Sequence, residues 1–167
     1  GTIIFDNNLI FNFSIFLSIL LIFNLLNFFY LGDNGIYLLS LFTGYVLINI
    51  FNQNSSLSPY FIASLLWYPS FELLFSMIRK FMKKFSPMKP DINHLHQLVF
   101  KSLNKRFKFS KNYLNSLTGI IINFYNLSML LFCSIKPSST NYQVSLITFN
   151  IFFYLTIYFI LKKINDI

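Results

Sequence analysis

The chain has 167 residues, of which 55% are hydrophobic, 20% aromatic and only 11% charged, with a formal net charge of +8. Soluble domains carry roughly 25% charged residues, and so little polar surface could not cover this much apolar side chain. The composition excludes an ordinary soluble fold and predicts an all-α, polytopic transmembrane helical bundle. The cations sit beside apolar runs, so they read as a topology signal and not as a nucleic-acid surface. A lone cysteine, Cys133, excludes an internal disulfide and reads as a small buried hydrophobe.

Five apolar runs approach the roughly 20 residues that a spanning helix needs, at about 9–30, 35–51, 60–78, 117–135 and 144–161. All are predicted helical, because backbone in lipid must satisfy its own hydrogen bonds. Between the first two runs lies Tyr30-Leu31-Gly32-Asp33-Asn34-Gly35, an acid between two glycines. A carboxylate on a tight turn at a membrane face can hold a cation, and Mg²⁺ takes one or two protein carboxylates and completes its shell with waters and phosphates. Asp is equally suited to start the helix that follows. The spacing leaves both roles open.

Polar residues 52–58 form a turn before Pro59, which suits the first turn of a helix because its missing N–H costs nothing there. In the third run, Glu72 stands two helical turns before Arg79, roughly 10 Å inside the membrane face. An intramembrane acid is by default a functional candidate, for example on the ion path of a small transporter. The preferred reading is structural: Glu72 pairs with a cation or caps groups freed by Pro69, which interrupts the helical ladder.

Residues 79–116 hold ten of the 13 cations, which makes this segment a basic cytoplasmic loop by the positive-inside rule. Counting spans puts Asp33 and Lys162-Lys163 on the same side and the turns at 52–58 and 137–141 on the other. The loop contains Pro90-Asp91-Ile92-Asn93-His94-Leu95-His96. His94 and His96, two apart, point the same way only in an extended segment. Two histidines alone are too few for zinc. With Asp91 and the cations around them, phosphate or nucleotide contact is the better reading, and either ring can shuttle a proton near neutral pH. Arg79 is the cation best placed for phosphate, and 101–111 mixes cations with Leu and Phe in the manner of an interfacial segment.

Three stretches, YLGDNGIYLLSLFTGY, SPYFIASLLWYPSFELLFSMIRK and SPMKPDINHLHQLVF, resemble the C-terminal half of the polyprenyl-phosphate N-acetylhexosamine-1-phosphate transferases. The likeness runs in order from Asn24 to Phe100. It implies a Mg²⁺-dependent enzyme of the bacterial inner membrane, with its active face cytoplasmic. Such an enzyme moves a sugar-1-phosphate from a UDP-N-acetylhexosamine to a polyprenyl phosphate, and a homodimer is compatible with it. By position, Asp33 matches the family's Mg²⁺-associated acid, and Tyr30 the aromatic that stacks on uracil. Asn24 matches an upstream Asn, His94 and His96 the cytoplasmic histidine motif, and Arg79 a basic position ahead of it. Asp91 joins the substrate-binding set as part of the same element. Gln97 departs from the pattern, since many members have another His there. The family's aspartate pair belongs to its N-terminal half and has no counterpart here, so the resemblance implies the back half of a larger bundle. The competing expectation is a non-catalytic membrane subunit or inactive paralogue.

Overall fold

The computed structural model describes residues 7–29, 31–84 and 93–166, with the side chains of 7–10 left aside. Every regular element among them is a helix: α1 (Asn7–Leu25), α2 (Asp33–Gln53), α3 (Pro59–Leu65), α4 (Trp67–Met82), α5 (Leu95–Arg106), α6 (Lys111–Cys133) and α7 (Thr140–Asp166). Three of these, α2, α6 and α7, are long and apolar enough to cross a membrane, and the bent pair α3–α4 makes a fourth if counted as one span. The chain divides into two units, one through Thr43 and one from Gly44.

In the first unit, the apolar run expected to stay helical to Tyr30 stops at Leu25. Asn27 adopts a left-handed backbone (φ 58°). Its N–H bonds Asn24 O and that of Phe28 bonds Phe23 O, both at 3.0 Å. This is the Schellman closure of a helix, completed by the apolar contact it favours, here between the Phe23 and Phe28 rings at 6.4 Å. No glycine marks the stop in the sequence, because Asn27 supplies the positive φ. On the same unit, Phe13 packs on Phe42 at 4.0 Å between ring centroids.

In the second unit, Ser58 starts α3, its hydroxyl accepting the Tyr60 N–H. The break between α3 and α4 bends the chain by 74° at Leu66. Pro69 lies three residues beyond it and has no N–H for the carbonyl of Leu65, so the ladder cannot run through. Ser58 also ties α3 to the α6–α7 turn: its N–H donates to Pro137 O at 3.1 Å, and its hydroxyl meets Thr140 Oγ1 at 3.0 Å. The two turns expected to share one membrane face therefore share one end of this unit.

The basic segment is not a plain loop. It holds α5, whose Leu95 and Leu98 are buried and which packs against α6 and α7. Lys105 Nζ donates to Ile164 O (3.2 Å) and Asn165 O (2.9 Å), where α7's last carbonyls lack helical partners. Asn165 Nδ2 returns a bond to Leu98 O at 3.0 Å. The basic segment and the C-terminal end of α7 thus lie together, as the charge count expects. The core joins Trp67, Leu95, Leu98, Met129, Tyr154 and Tyr158. Helix α7 buries Gln143, Asn150, Tyr154 and Tyr158 while exposing Phe149, Phe152, Phe159 and Ile160. Its polar stripe faces protein and its apolar side faces outward, which suits a lipid environment.

Candidate functional site

The strongest polar constellation among the described residues centres on Glu72, which is 8% exposed. One carboxylate oxygen, Oε1, accepts the backbone N–H of Leu95 at 3.1 Å and lies 2.9 Å from His94 Nδ1. The other, Oε2, accepts the Tyr154 hydroxyl proton at 2.6 Å. Three helices meet here: α4 carries the acid, α5 begins at it, and α7 brings Tyr154. Leu95 is the first residue of α5, so its N–H has no helical acceptor of its own, and Glu72 supplies one from another helix. A carboxylate at that position also opposes the positive end of the α5 dipole.

His94 is the cap residue of α5, with extended backbone (φ −69°, ψ 152°). Its N–H donates to Gln97 Oε1 at 3.1 Å, half of a capping box, and its carbonyl accepts the Leu98 N–H at 3.0 Å. Gln97, a departure from the transferase pattern in sequence, therefore has a structural task. His96 already belongs to the helix. The two rings nevertheless stack, 5.6 Å apart and 9° from parallel, because one residue is extended and the next-but-one helical. The extended segment expected to align them is only half present.

His96 is exposed, yet lost hydration first and the adjacent His94 second hold its pKa below the usual histidine value, against the opposing pull of Glu72. It lines a groove of about 410 Å³ between α5 and α6 with Gln97, Phe100, Lys101, Asn115 and Thr118. That volume suits a small ligand. Arg79 lies against two rings of the core, its guanidinium carbon 4.7 Å from the Phe75 centroid and 4.9 Å from that of Tyr158. Such a cation–π seat holds the charge in the last turn of α4, two turns beyond Glu72.

The other sequence-derived candidates fall elsewhere. Tyr30 and Asp91 lie outside the described residues. Asn24 is exposed near the end of α1, where its carbonyl takes part in the helix stop. Asp33 belongs to the first unit and the histidines to the second. It is exposed in the first turn of α2, and Gly32, whose carbonyl accepts the Ile36 N–H at 3.1 Å, is the cap residue instead. The room left by Gly35 is filled by Leu31, whose side chain lies 2.7 Å from where a Cβ would sit; beside Gly32 the space is open. Among the described residues no three His, Cys, Asp or Glu side chains gather as a metal site. A single exposed carboxylate suits only a Mg²⁺ ion whose remaining ligands are waters and substrate oxygens.

Sequence reasoning gave Glu72 a structural role without finding its partners, and it passed over Tyr154 altogether. The signal for Tyr154 was the spacing of Gln143, Asn150, Tyr154 and Tyr158, which places all four on one face of α7. No protein-family model matches the chain, and no curated protein and no solved structure matches it either.

Proposed function

We propose that the chain is the C-terminal part of a membrane transferase that moves an N-acetylhexosamine-1-phosphate from a UDP-sugar to a polyprenyl phosphate, releasing UMP. The observation that carries this reading is the histidine pair at the start of α5. His94 is held on Glu72, His96 is stacked beside it, and His96 opens on a groove that also bears Lys101. Imidazole, amide and ammonium donors around a ligand-sized groove suit a phosphate-bearing donor. Arg79 and Asp91 join this side of the reading, and Tyr30 and Asn24 the uracil side near Asp33.

In this reading α1, with 19 residues and a length of about 28 Å, counts as a further span. The bundle then has five: α1, α2, the α3–α4 pair, α6 and α7. The basic segment faces the cytoplasm of a bacterial inner membrane, where nucleotide sugars are found. Mg²⁺, when bound at Asp33, offsets charge on the diphosphate. His94 and His96 bind and orient the donor's phosphates, Tyr30 stacks its base, and the lipid phosphate approaches from the bilayer. A homodimer is compatible with this arrangement.

One observation favours the second reading, a non-catalytic membrane subunit: Asp33 sits exposed in a first helical turn, where an acid serves the helix dipole without any ligand. UMP release from several UDP-sugars separates the two when it is measured with this chain joined to the N-terminal half that the transferase reading requires, in membranes containing polyprenyl phosphate. The transferase reading expects Mg²⁺-dependent release that is lost in Asp33→Asn. Release that survives this substitution removes Asp33 from the chemistry, and no release from any donor leaves the subunit reading standing.

A further inference from the structure

Glu72 does more than staple three helices. We infer that it is a positioning residue for His94: it accepts the proton on Nδ1 and thereby turns the other ring nitrogen, Nε2, into the free acceptor presented to a ligand.

The Leu95 N–H is a donor, and it occupies Oε1 at 3.1 Å. The Tyr154 hydroxyl donates to Oε2 at 2.6 Å. A carboxylate in its ionised form has no proton to give and can only accept. The atom 2.9 Å away, His94 Nδ1, must then carry the hydrogen it shares with Oε1. A neutral imidazole has one N–H, so Nε2 is left with a lone pair. An unconstrained histidine in water prefers the opposite tautomer, so the choice made here is imposed by Glu72.

The pair is also asymmetric in exposure. The His94 side chain is 25% exposed and that of Glu72 only 10%. The acid is the buried anchor and the ring is the part that can meet a ligand. The His94 backbone is fixed separately, its N–H donating to Gln97 Oε1 at 3.1 Å. Among the described residues, the titratable groups that act on the pair are Tyr68 from α4, His96 from α5 and Tyr154 from α7, and the Arg79 charge acts on Tyr154. None of them takes the place of Glu72 at Nδ1. A carboxylate behind an imidazole that meets a ligand is a common way to fix both ring orientation and tautomer.

The tautomer can be read without any enzymatic activity. The full chain, labelled with ¹⁵N in its histidine rings and held in lipid nanodiscs, gives two ring systems, because the sequence has only two histidines. A His96→Gln sample assigns the His94 signals. The inference expects Nδ1 of the neutral ring to resonate as a protonated nitrogen and Nε2 as a bare one. In Glu72→Gln, which keeps the side-chain shape but offers a weaker, uncharged acceptor, the tautomer with the proton on Nε2 gains population. A wild-type spectrum with the proton on Nε2, or a tautomer balance that Glu72→Gln leaves unchanged, overturns it.

A second arm rests on the proposed transferase reading. The amide nitrogen of Asn overlays Nδ1, whereas that of Gln overlays Nε2. His94→Asn should therefore keep the Glu72 bond and the wild-type melting temperature, while UMP release falls on the order of 100-fold or more. Release within a few-fold of wild type would make the pair a structural staple only. If the wild-type protein with its N-terminal half releases no UMP from any donor, the transferase reading fails, and the ring spectrum alone decides the inference about Glu72.

Discussion

Asp33 and Glu72 are both single acids on apolar helices, and their surroundings are opposite. Asp33 is exposed at the start of α2 beside two glycines, while Glu72 is buried and gathers His94, Leu95 and Tyr154 from two other helices. The sequence motif drew attention to the first. The hydrogen-bond network belongs to the second. In a membrane bundle the cost of burying a charge is offset only by converging donors, so a buried acid reports its own network. An exposed acid reports only that water can reach it, and its role depends on what it meets there.

The largest expected effect comes from breaking the buried side of this contrast. Glu72→Ala leaves the Leu95 N–H, the Tyr154 hydroxyl and the His94 ring without their acceptor at once. The expected loss is about 3–5 kcal/mol of stability, read as a drop in the unfolding midpoint in detergent micelles. A loss below about 1 kcal/mol would mean that water or another group already serves these donors, and the network would not be a structural centre. Tyr154→Phe removes one donor and keeps the ring, which stays packed on Phe71 at 5.0 Å and on Phe75 at 5.7 Å between centroids. A single hydrogen bond to a charged acceptor is worth about 1.5–3 kcal/mol, so the same measurement should place this variant between wild type and Glu72→Ala.

The exposed acid should behave differently. Asp33→Asn removes only a dipole interaction open to solvent, and the midpoint should move by no more than about 0.5 kcal/mol equivalent. A larger destabilisation would show that Asp33 has a structural partner, which would weaken its claim to a ligand. Together with the UMP measurement, this variant separates an acid kept for binding from an acid kept for folding.

The unequal legibility of the two regions has a physical reason. Local chemistry was readable in part: Ser58 before Pro59 starts α3 and Pro69 marks the break at Leu66, whereas α6 starts at Lys111, ahead of the expected 117, with Ser110 accepting the Tyr113 N–H. These depend on neighbours within four residues. The partners of Glu72 lie 22 and 82 residues away, and no periodicity encodes such pairings. Helix α5 was masked for a different reason: its cations read as loop, although Leu95 and Leu98 stand one turn apart and both are buried. The stop at Asn27 was hidden because the left-handed residue is one of several Asn in the first run and not a Gly.

The smallest effect concerns His96, and it tests whether the paired rings share one electrostatic environment. Its folded pKa lies below the ordinary histidine value of about 6.5. Well above the ordinary value the ring is uncharged both folded and unfolded, and it contributes no pH dependence. As the pH falls through the ordinary value, the unfolded chain takes up the proton first, so it binds more protons than the folded chain and stability decreases. The decrease levels off once the lower folded pKa is passed. Unfolding midpoints measured stepwise across this acidic window should therefore decline more steeply in wild type than in His96→Gln, which has no ring to protonate. Equal slopes would mean that the crowding around His96 and the charge of His94 do not act on it. A steeper slope in the variant would reverse the sign and place the histidine where its charged form is favoured, as Glu72 alone would make it.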